Sequence, residues 1–114
     1  MATQIYLQVP EGDDVTVNMQ VLQADGTTPQ PLDSFTPEML VKPAAVSPDS
    51  QAIATLTTSA GLTIVDSALG TLTALLPHTS VTKTVGTFFW RLQVTDSGSD
   101  RTTAMYGPLQ VFPV

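Results

Sequence analysis

The chain has 114 residues, no cysteine, and ten acidic residues against four basic ones, for a net charge of -6. That length predicts one domain with a single core; the missing cysteines exclude a disulfide framework and a thiolate zinc site. The acidic balance argues against a nucleic-acid partner, because phosphates need clustered Lys and Arg.

Charged residues make up 12% of the chain, about half the usual quarter, so Thr, Ser and Gln must cover most of the surface. Neutral hydroxyls and amides lose less hydration than ions when covered, and such a surface suits a protein packed among neighbours. Strand content accounts for the threonines equally well, because Thr favours sheets.

Residues 1–6 lack a basic region followed by an apolar run, so no secretion signal is expected. No apolar stretch approaches the roughly 20 residues that span a bilayer. Residues 4–9 alternate, with Ile5, Leu7 and Val9 on one side and Gln4, Tyr6 and Gln8 on the other, a first strand ended by Pro10. After a Glu-Gly-Asp-Asp turn, Val15, Val17, Met19 and Val21 alternate with Thr16, Asn18, Gln20 and Leu22 through Gln23, the cleanest period-two pattern in the chain. Residues 24–37 read as loop, since Asp25-Gly26 is a turn signal and Pro29, Pro31 and Pro37 interrupt a ladder.

A short strand is expected over 38–42, ended by Pro43, and a turn at Ser47-Pro48-Asp49-Ser50 with Pro where its fixed φ fits. Residues 51–58 form another strand whose inner face the pattern does not settle. Two alternating runs, 61–64 and 70–76, predict a hairpin with Gly70 at a position of positive φ. Residues 77–85 form a polar crossover with one helical turn. The strand 86–96 follows, with Phe88, Trp90, Leu92 and Val94 on its buried side and Phe89, Arg91, Gln93 and Thr95 on the other. Residues 96–100 make a hairpin loop, and 102–111 return as the last strand, with Gly107-Pro108 marking a bulge or an edge.

No segment of ten or more residues carries a 3.6 period. Seven or eight short strands separated by turn signals predict an all-β fold, an immunoglobulin-like antiparallel β-sandwich forming one domain over residues 1–114.

From Leu56 onward the order of an apolar strand, Gly61-Leu62-Thr63-Ile64-Val65-Asp66, then Gly70 with Leu72, Ala74 and Leu76, then the strand from Gly86 to Asp96 and Gly107-Pro108-Leu109-Gln110-Val111, carries a resemblance. Together with Gly12-Asp13-Asp14-Val15-Thr16-Val17, it resembles the small phage virion domain at the N-terminus of the baseplate upper protein family. That resemblance implies an immunoglobulin-like sandwich attaching a receptor-binding component to a particle. In the family further chain follows the domain, whereas this sequence stops at Val114. The expectation is therefore a virion accessory, such as a capsid decoration, neck or tail/baseplate protein. It is expected to be made in the host cytoplasm, to sit in the virion in many symmetric copies or as a homo-oligomer, and to bind other virion proteins but neither nucleic acid nor membrane.

Phe89, Arg91 and Gln93 form an outer row suited to a partner, since aromatics and Arg are enriched at interfaces. Packing of Phe89 under a loop is the competing reading. Tyr106 and Phe112 are further exposed-aromatic candidates near an end of the chain that can add a strand to a neighbour. Pro108 and Pro113 argue partly against that, because Pro blunts an edge. His78, the sole histidine, has no carboxylate at a spacing that makes a triad and reads as a surface residue. Glu11, Asp13 and Asp14, and likewise Asp96 and Asp100, offer the hard oxygens that Ca²⁺ takes, yet Asp, Ser and Gly are also what a hairpin loop uses for its own backbone. Plain turns are expected, with no cofactor. Glu38 with Asp33, or Asp66 with Asp49, are the carboxylates that a glycosidase-like pair would draw on, and their spacing does not bring them together. No enzyme is expected; the alternative to a virion protein is a carbohydrate-binding adhesion module.

Overall fold

The alternating runs of the sequence become strands. The computed structural model describes residues 3–114, so Met1 and Ala2 of the leader reading lie outside the described residues. In chain order the strands are β1 (Thr3–Gln4), β2 (Leu7–Pro10), β3 (Val15–Gln20), β4 (Thr36–Lys42), β5 (Ala54–Thr57), β6 (Leu62–Asp66), β7 (Thr71–Leu76), β8 (Gly86–Thr95) and β9 (Arg101–Phe112), with a 3-10 turn at Asp49–Gln51.

One sheet runs β1-β9-β8-β4-β5, with β2 also beside β9, and the other runs β3-β7-β6. The two N-terminal strands lie parallel to β9 and all other pairs are antiparallel. This is an immunoglobulin-like β-sandwich: β3, β7 and β6 take the places of strands B, E and D, and β5, β4, β8 and β9 those of C′, C, F and G. The fold class read from the alternation is the one the chain adopts.

The core lies between the sheets, where the period-two rows of both meet. Met39 stands opposite Leu92 and Val41 opposite Trp90, and on the other side of β8 Leu92 faces Met105. These residues join Met19, Leu62, Leu72, Leu76, Leu109 and Val111 in one buried cluster. Trp90 is fully buried; a domain with no cysteine lacks the inter-sheet disulfide of antibody domains, and truncating this ring to Ala would cost about 3–5 kcal/mol.

Several boundaries differ from the sequence reading, each for a local reason. The first strand is broken at Ile5-Tyr6, which turns Ile5 to the surface instead of the inner side. Gly107 explains the break: a Cβ there would sit 2.0 Å from the Ile5 carbonyl oxygen, so only a glycine lets the two backbones cross. Gly107-Pro108 is therefore not a bulge; the bulge lies one turn of the pleat earlier, where Leu92 pairs with Met105 and Gln93 with Thr103, leaving Ala104 extra. β4 starts at Thr36 and admits Pro37, which pairs with Val94 of β8 but lies beyond the end of the β5 ladder, so no hydrogen bond is lost for want of its N–H.

The β6–β7 hairpin turns at Gly70, with φ +68°. There the Val21 N–H donates to the Gly70 carbonyl at 2.9 Å. The 77–85 crossover is less polar in effect than in composition. Val81 and Thr82 are fully buried. The Val81 N–H donates to the Pro77 carbonyl at 2.9 Å, the expected helical turn, and the Thr82 hydroxyl donates to the Asp13 carbonyl at 2.6 Å.

Candidate functional site

The pleat of β8 that buries Trp90 must point its alternate residues outward. On that outer face Phe89 stands opposite Lys42, Arg91 opposite Leu40, and Gln93 opposite Glu38; across the other ladder Arg91 faces Tyr106 and Phe89 faces Pro108. The strand register thus brings together four of the residues singled out in the sequence, Phe89, Arg91, Gln93 and Tyr106. Phe112 lies at the far end of β9, opposite Pro10, and is 36% exposed.

This face is largely covered by the chain itself. Gln93 is 2% exposed and its amide donates to Glu38 Oε1 at 2.6 Å, while Leu40 and Lys42 are each 4% exposed. Phe89 and Tyr106 are half-buried, with ring centroids 6.3 Å apart in a tilted pair. The Lys42 ammonium lies 5.7 Å from the Phe89 centroid. It donates to the Ser47 carbonyl at 2.9 Å and to Asp49 Oδ1 at 3.3 Å, while Arg91 Nη2 reaches Asp49 Oδ2 at 2.8 Å. Asp49 thus receives two cations and pins the β4–β5 connection beside the sheet. Burial pushes its carboxyl up, but the hydrogen bonds from Lys42 and Arg91 outweigh that and hold it below the ordinary value. Among the described residues Arg91 Nε is buried without a partner.

Neither Lys42 nor Asp49 was singled out as a partner residue from the sequence. Lys42 closes a strand just before Pro43, where a lysine reads as solvated, and only the return of the following loop encloses it.

The Asp96–Asp100 loop is turned to its own backbone, and the Asp14 carboxylate to a distant histidine. Asp96 Oδ1 accepts from the Gly98 and Asp100 amides at 2.8 and 2.9 Å, the bonding a hairpin loop uses. Asp14 Oδ1 takes both the His78 backbone N–H and His78 Nδ1 at 2.8 Å, so the histidine has a carboxylate partner that sequence spacing did not suggest. Those two hydrogen bonds, the backbone one first, lower the Asp14 pKa. Both side chains are 55% exposed. The other carboxylates are scattered: Glu38 meets Gln93, Asp33 accepts from the Ser67 hydroxyl, and Asp66 caps the amides of Ala68 and Leu69. Among the described residues no three His, Asp or Glu side chains converge on a metal position.

The outer face of the second sheet has a different chemistry. Asn18 faces Thr73, Gln20 faces Thr71 and Thr16 faces Leu75, and Thr63 continues the Asn18–Thr73 row. Leu75 is 45% and Val65 66% exposed on this sheet.

No family model matches the chain, and no curated protein matches it. Among solved structures, extracellular domains 3–5 of Drosophila OTK are similar at 16% identity and a TM-score of 0.35, over 98% of this chain and 33% of that one. This chain therefore spans a third of that neighbour's length, and the fold stands on its own strand order.

Proposed function

We propose that the domain is a non-enzymatic structural component of a bacteriophage virion, a decoration, neck or tail/baseplate accessory that binds other virion proteins. The observation that carries this reading is the outer face of the β3-β7-β6 sheet, where Thr16, Asn18, Gln20, Thr63, Thr71 and Thr73 stand in ladder with exposed Leu75. A face of hydroxyls and amides with Leu75 and Val65 as its exposed apolar side chains is cheap to desolvate and offers donors and acceptors to a neighbour. The resemblance to the baseplate upper protein domain supports the same reading. Mass spectrometry of purified particles is expected to find the chain in them, and its absence from particles would overturn the proposal.

A second reading, a carbohydrate-binding module, is favoured by one specific cluster. Tyr6 is 53% exposed, its hydroxyl donates to Gln110 Oε1, and Gln8 Nε2 lies 3.3 Å from the same hydroxyl. An open ring flanked by planar amides suits a sugar face. Binding of the isolated domain on a glycan array, lost in Tyr6→Ala, would select this reading over the first.

A further inference from the structure

We propose that β3 is a self-association edge, through which two copies of this chain pair antiparallel with Asn18 opposite Asn18 of the second copy. β3 ends its sheet, and no described strand lies along its other side. The Val21 N–H is spent on Gly70; by the alternation of an antiparallel ladder, Val15, Val17 and Met19 also turn their amides and carbonyls toward β7, and Thr16, Asn18 and Gln20 turn theirs outward. A row of unpaired donors and acceptors is a template for another strand.

The other free edges carry the devices that discourage pairing. β2 ends in Pro10. β5 has only four residues. β6 is broken by a bulge at Val65 and ends in Asp66. β3 has six residues, Val-Thr-Val-Asn-Met-Gln, with no charge, proline or glycine, and its register with β7 is unbroken.

A second copy fits because the strand is complementary to itself. With Asn18 on the two-fold axis, Thr16 meets Gln20 of the second copy, Val17 meets Met19 and Val15 meets Val21. Apolar residues then continue apolar rows, and hydroxyls and amides continue theirs. Val15 and Val17 point inward yet are only half-buried, because the sandwich is open along this side; a paired strand covers them. Charge permits the approach although each copy carries -6. Asp14 falls opposite Leu22 and Asp13 opposite Gln23, so no acid meets an acid along the paired strand or in the two residues before it. The contact is isologous and closes on itself, giving a dimer rather than a fibre.

The pairing does not rest on the virion reading: a chain absent from particles would still dimerise, and a monomer could still be mounted singly. The chain has no cysteine, so one introduced thiol gives a clean readout. A hydrogen-bonded antiparallel pair sets Cα atoms about 5.5 Å apart, within disulfide range. Asn18→Cys is expected to form a covalent dimer under mild oxidation at least ~10-fold faster than Thr63→Cys, which places its thiol on the same outward face but at the far edge. Sedimentation of the unmodified chain is expected to show a dimer. Asn18→Lys, which sets two ammonium groups against each other on the axis, is expected to weaken it about tenfold or more with an unchanged circular dichroism spectrum. Crosslinking at Asn18→Cys no faster than at Thr63→Cys, or a chain that stays monomeric at all concentrations, would overturn the proposal.

Discussion

Trp90 Nε1 donates to the Ile5 carbonyl at 3.2 Å, tying the buried ring to a backbone 85 positions away. The indole N–H is thereby satisfied inside the core, as a buried donor must be. The bond exists because Gly107, directly opposite Trp90 in the ladder, leaves room for Ile5 to pass over it. Gly107→Ala should therefore drive the N-terminal segment off its site, at a cost of about 1–3 kcal/mol for an overpacked contact. Urea unfolding should show a lower midpoint, and the indole emission of the native state should shift. An unchanged midpoint and spectrum would mean that the segment does not lie across Gly107.

Gly70 makes a second, independent test. Its φ is +68°, and a Cβ would lie 2.5 Å from the Gln30 carbonyl oxygen and 2.7 Å from that of Val21. Gly70→Ala combines a strained conformation with backbone overlap, and should destabilise by ~2 kcal/mol or more. Thermal melting compared with Gly26→Ala checks it, since the same substitution at Gly26 (φ +77°) meets no atom within 4 Å and carries only the conformational strain.

How much of this was legible in the chain depends on the range of the signal. The inner rows, Val15-Val17-Met19 and Trp90-Leu92-Val94, were readable because burial repeats every second residue and needs no knowledge of the partner strand. The Gly70 turn was readable because one residue type alone takes that φ cheaply. The burial of Lys42 was not, because it depends on a loop that returns to meet it, and the Asp14–His78 pair spans 64 positions with no local mark. Gly107 did leave a signal: a glycine inside a strand points to a close backbone approach as well as to a bulge, and here the approach is what it serves.

Replacing the buried ammonium tests the outer face. Lys42→Met keeps the apolar stem over Phe89 while removing the charge, and should be neutral to stabilising by ~1 kcal/mol. Asp49→Ala should act the other way, because it leaves the ammonium enclosed with only carbonyl oxygens and frees Arg91. Faster amide hydrogen exchange over residues 43–51 in Asp49→Ala, with little change in Lys42→Met, is the expected pattern. Exchange over 43–51 no faster in Asp49→Ala than in the unmodified chain would show that the Asp49 carboxylate does not hold the loop.

Acid should loosen a particular turn. Asp25 accepts from the Thr28 hydroxyl and from the Thr28 and Thr27 amides, both at 2.9 Å, and these bonds lower its pKa from 3.8 to about 2. A depressed carboxyl supports the fold above its unfolded value and loses that support as pH falls through the folded one. The 25–28 turn should therefore keep its structure at pH 4 and give it up between 3.8 and about 2. A carboxyl ¹³C titration placing Asp25 near the value of a free aspartate would contradict the three bonds.

β2 runs parallel to β9, with Leu7 beside Leu109 and Val9 beside Val111. On a ribosome β2 is made long before β9 and must therefore wait, unpaired, until β9 has emerged. Long-range pairing of this kind slows assembly, so the final step of folding should be the docking of the N-terminal segment onto an already closed sandwich.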